Sequence, residues 1–137
     1  MELLSNPRTE YLLDASFDSL HSESLDWLKE ISFWQDEMVF FYKLLHKKAS
    51  KESFPSKELA AIERKLVGII GDKLDRIKNE VQNHERSLAL LMRTTNLQEK
   101  ENYRQAHQRL LHEVYDMHAV IRNFKKDVFD FVQQYQP

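Results

Sequence analysis

The chain has no cysteine, two glycines and three prolines among its 137 residues, and each scarcity removes a class of protein. Without cysteine there are no disulfides, no thiolate nucleophile and no cysteine-ligated zinc or iron–sulfur centre. Gly68 and Gly71 both sit inside a helical pattern, so no glycine-rich phosphate-binding loop can be built. Pro7, Pro55 and Pro137 fall at breaks rather than inside periodic stretches, which leaves long helices permitted. No apolar run is longer than that of Met38–Tyr42, far below the roughly 20 residues a membrane span needs. The first residues carry Glu2 before any base and break at Pro7, so a secretory signal is not expected and the predicted location is cytoplasmic. An excess of charge of either sign is also missing. Twenty Lys and Arg against 22 Asp and Glu give a net charge of -2. Nucleic-acid binding draws mainly on a basic surface that neutralises phosphates, so no nucleic-acid partner is expected.

What the chain does have is rhythm. Trp27, Ile31, Trp34, Met38, Phe41 and Leu45 recur at alternating steps of four and three, predicting a first helix over about 24–50. Leu59, Ile62, Leu66, Ile70, Leu74, Ile77, Val81, His84, Leu88 and Leu91 predict a second over 56–93. Its stripe slips between Ile62 and Leu74, where the steps are all of four, a stutter containing both glycines. Close helix approach is the preferred reason for glycine there, a local bend the alternative. Tyr103, His107, Leu110, Val114, Met117, Ile121, Phe124, Val128, Phe131 and Tyr135 predict a third helix over 97–135. Short connections make successive helices antiparallel. The expected fold is therefore all-α: an up-down-up bundle of three long helices forming one domain over 1–137, with residues 1–22 as an irregular arm or short helix packed on it.

The first helix is apolar over more than one stripe, because Phe33, Phe40 and Leu44 form a second row beside the Trp27 and Trp34 seam. A helix so widely apolar needs cover from additional neighbours. The arm, through Tyr11, Leu12, Phe17 and Leu20, or a second copy of the chain could supply it, and a symmetric dimer is the preferred expectation. Trp27, Phe33, Trp34, Phe40 and Leu44 are the predicted interface. Glu30 and Glu37 lie between the two apolar rows and need partners. Lys73, with Arg76 nearby, is expected at the level of Glu30 to form a buried salt bridge.

His84 and His107 both occupy seam positions and are brought to nearly one height by folding about Thr94–Asn96. With Glu80 and His21 they form a candidate metal- or ligand-binding layer, weighed against an ordinary hydrogen-bonded polar layer. Helical di-iron sites use Glu-x-x-His pairs, and none of the six histidines has Glu three residues before it. No arrangement of Ser, His and acid suggests a nucleophile. The chain therefore reads as a non-enzymatic, self-associating interaction bundle without a cofactor, its partner being itself or another protein. The alternative is a metal- or small-ligand-binding bundle using His84 and His107, or Glu30 and Glu37.

Overall fold

A computed structural model describes residues 16–51 and 56–134, and among these all regular structure is helical, with no strand. The predicted Tyr11 and Leu12 contacts, the Pro55 turn and Tyr135 lie outside the described residues. α1 runs Phe17–Lys51. α2 (Ser56–Gly68), a π-helical segment (Ile69–Leu74) and α3 (Asp75–Leu91) follow one another as a second long helix. α4 (Leu97–Gln134) is the third.

α1 starts at Phe17, well before the predicted Ser24, so residues 17–22 belong to the first long helix rather than to a separate segment. Ser16 ends the preceding segment by accepting the Ser19 backbone N–H on its hydroxyl at 3.2 Å, a side-chain cap. The seam then extends backwards: Leu20 and Ser24 precede Trp27 at steps of four and three, and both are fully buried. At the other reversal Leu91 closes α3 two residues short of the predicted end. The Arg93 and Thr94 amides donate to the Leu90 and Leu91 carbonyls. Asn96 caps α4, its side-chain oxygen accepting the Glu99 N–H at 3.1 Å.

Two compact units are distinguished: Met1–Glu30 with Ile77–Asp116, and Ile31–Arg76 with Met117–Pro137. In the first, Leu20, Leu88, Leu91 and Tyr103 form a buried cluster with Phe17 and Leu111 against it. In the second, Trp34, Met38 and Phe41 of α1 are buried, as are Leu66 and Leu74 of the second helix and Ile121, Phe124 and Val128 of α4. Gln35 bonds Asp75 and His46 pairs with Glu63, so α1 and the second helix run in opposite directions there. Trp34 meets His118 and Phe41 meets Phe124, so α1 and α4 run the same way. This is the up-down-up order the short connections imply.

The stutter is resolved by the π turn. Each step of four advances an α-helical stripe by ~40° beyond a full turn, so three in succession would carry it off the core. A π turn closes i→i+5 and takes up one extra residue. Ile69 and Leu74, five apart, are its two buried residues, so Ile69 rather than the predicted Ile70 faces inward. Close helix approach does not explain the glycines. A Cβ added to Gly68 or Gly71 would meet nothing within 4 Å, and neither has a positive φ. Gly71→Ala is therefore expected to stabilise the fold by about 0.5–1 kcal/mol, readable as a higher urea midpoint. A lower midpoint would mean that glycine is required for the π turn itself.

Candidate functional site

The first unit carries a buried polar layer. His84 and His107, predicted to face each other, are 2.9 Å apart from Nε2 to Nδ1, and both are buried. His107 Nε2 reaches Glu23 Oε1 on α1, also at 2.9 Å. Only one pattern of protons satisfies this chain while both rings are neutral. His107 donates Nε2–H to the Glu23 carboxylate, which leaves its Nδ1 to accept His84 Nε2–H. Aromatic surfaces clamp the pair: Trp27 stacks on His107 at 4.5 Å and Tyr103 on His84 at 4.1 Å. Burial holds His84 down to about 4, with the neighbouring His107 and then Arg109 adding to the depression. Burial, then the charge of Glu85, pushes the Tyr103 phenol above its ordinary range.

The other members of the predicted layer do not join it. His21 is exposed and bonds Glu85 at 2.5 Å, because the earlier start of α1 presents it to that carboxylate. Glu80 is partly buried, and its Oε1 has no hydrogen-bond partner among the described residues. Among the described residues no group of three or more His, Asp or Glu is arranged to hold a metal ion. Glu23, the carboxylate that completes the layer, is concealed in the sequence because it falls before the predicted start of the first helix. The seam position of Ser24, three before Trp27, is the signal that places Glu23 in a helix beside it.

The second unit carries the aromatic surplus, and it divides the predicted interface. Trp34 is buried, with His118 against its ring at 5.5 Å; in the first unit Trp27 is buried too. Neither indole is available as a surface anchor, because seam positions already fill the core. Phe33 and Phe40 remain 60% exposed, and Leu44 is half-buried. Phe129 of α4, which the sequence does not single out, is 57% exposed. Phe41 joins it to the row, with its ring 5.8 Å from Phe40 and 6.1 Å from Phe129. Phe129 follows the seam residue Val128 directly, so its own periodicity carries no signal.

Of the two carboxylates expected between the apolar rows, Glu37 has its cation on α4. Glu37 binds Lys125 of α4 at 3.0 Å, while Lys73 is exposed and belongs to no buried pair. α1 packs on α4 as well as on the second helix in this unit, so the nearest connection in sequence does not decide which helix supplies the cation. Glu30 is half-buried. No described helix is long and apolar enough to cross a membrane.

These features define an all-α, three-helix protein with a polar layer in one unit and an exposed aromatic row in the other. Comparison with protein-family models, curated proteins and solved structures finds no match to the chain.

Proposed function

We propose that the protein is a non-enzymatic interaction module that self-associates through the phenylalanine row of α1. The observation that carries this reading is the exposure of Phe33, Phe40 and Phe129, the last two joined through the buried ring of Phe41. Large side chains left this exposed gain by removal from water at ~25 cal/mol per Å². Aromatic anchors also hold most of the energy of an interface at little cost in side-chain entropy. A second copy offers the same surface, and a two-fold axis would lay each row on its counterpart. Leu44 extends the row, and Asp36 and Lys43, both exposed beside it, supply the charges that set register. Trp27 and Trp34 are removed from the interface expected from sequence, since each is already buried within its own unit.

The test is the oligomeric state. Sedimentation of the wild-type chain is expected to show a concentration-dependent dimer, and Phe33→Asp combined with Phe40→Asp is expected to leave a monomer whose Tm changes little. A wild-type chain that is monomeric up to hundreds of micromolar, or a double variant that still dimerises, would end this reading.

A further inference from the structure

In the second unit a groove of about 370 Å³ runs between the second helix and α4. That volume lies within the range of small-molecule sites, ~300–1,000 Å³. Its floor is apolar, formed by the buried side chains of Ile69 and Phe124. Its rim is cationic: Arg64, Lys65 and Lys73 line it against a single carboxylate, Asp127. Lys65 already pairs with Asp127 at 3.4 Å, whereas neither Arg64 nor Lys73 makes an ion pair with a described residue. Positive charge is therefore left over beside an apolar floor.

The local backbone adds a separate observation. Gly68 lines the groove, and a Cβ there would meet nothing within 4 Å. Packing does not require the glycine, yet a glycine inside a helix costs about 0.5–1 kcal/mol relative to Ala. Its effect is to leave the groove open at its wall. The next residues, Ile69–Leu74, are the π-helical segment, a departure from α geometry that occurs frequently at functional sites. The π turn also carries Ile69 inward to become floor, and Lys73 lies on the same segment.

We infer that this groove is a binding site for a small amphiphilic anion. The apolar body would lie on Ile69 and Phe124, and the carboxylate or phosphate head would be held by Arg64 or Lys73. Arg64 presents a planar fork of donors and Lys73 a point charge, and both suit an oxyanion. Asn123 places an amide at the rim that can donate to the same head. The site does not involve the phenylalanine row, so it stands or falls separately from self-association.

The test uses the full chain. Gly68 lines the groove and is one of only two glycines in the sequence, so its assigned amide resonance reports on the groove. Decanoate and decyl phosphate are titrated as probes, with decanol and inorganic phosphate carrying the apolar body and the charge alone. Saturable shifts of the Gly68 amide are expected with one or both amphiphiles, and whichever binds more tightly identifies the head group. Each control is expected to bind at least tenfold more weakly. Arg64→Gln with Lys73→Gln, at exposed positions that leave folding intact, is expected to weaken binding tenfold or more, and Gly68→Leu to abolish it by filling the groove. No saturable shift at Gly68 with either probe, or equal affinity in the Arg64→Gln, Lys73→Gln variant, would overturn the assignment. So would decanol binding as tightly as decanoate, because the cations would then contribute nothing.

Discussion

Trp27→Ala is expected to lower the unfolding free energy by about 3–5 kcal/mol, the range for truncating a fully packed aromatic residue, while leaving the capacity to self-associate in the folded fraction unchanged. The indole is buried and lies flat on His107 at 4.5 Å. Its loss would open a cavity beside a hydrogen-bonded polar chain and admit water to the His107–Glu23 contact. Urea unfolding monitored by circular dichroism measures the stability, and sedimentation at concentrations where the variant is folded measures association. A cost below about 1 kcal/mol, outside the range expected for a core aromatic, or a folded monomer, would return Trp27 to the surface role its aromatic character suggests.

Acid is expected to act on the same layer. His84 titrates near 4 in the folded protein, against an ordinary value of 6.5. Between those values the unfolded chain binds the proton and the folded chain does not, so protons favour unfolding. The contribution is fully present above about pH 6.5 and is lost as pH falls through 4. At about 1.4 kcal/mol for each tenfold change in proton affinity, it amounts to about 3 kcal/mol. A proton on His84 puts a positive charge into the buried layer beside His107 across the 2.9 Å contact, with Arg109 adding positive charge from α4. Glu23 on α1 and Glu80 and Glu85 on α3 also face this region, with His21 beside Glu85. The measurement is therefore a difference. Unfolding free energies at several pH values from 7 to 4 are compared with those of His84→Gln, which keeps a donor but cannot take the proton. The wild-type curve is expected to fall more steeply, and parallel curves would show that His84 carries none of the dependence.

How far the sequence reaches is clear from particular residues. Ile31, Met38, Leu45, Val81, Leu110 and Val128 are buried where the three-and-four steps put them, because a helical face repeats close to that period whatever it packs against. His84 and His107 can be paired from counting alone, since a short reversal fixes the height of both flanking strips. Two stretches mislead because local signals compete. Residues 17–22 read as outside the first helix, yet Ser16 is a cap and the helix it starts runs through all of them. Gly68 and Gly71 read as a close-packing signal, yet the helix widens into a π turn around them.

The alternation of apolar and polar residues by itself determined that the chain is helical, where it reverses, and which stripe is inside, because those properties depend on intervals along one chain. Which partner each polar group takes depends on distances across helices, and only tertiary packing decided it. Glu37 therefore binds Lys125, His107 binds Glu23 and Trp27 lies against a histidine. Packing likewise separated the indoles from Phe33 and Phe40, residues alike in hydrophobicity. A single turn of ~100° per residue decides which ring enters the core and which remains at the surface.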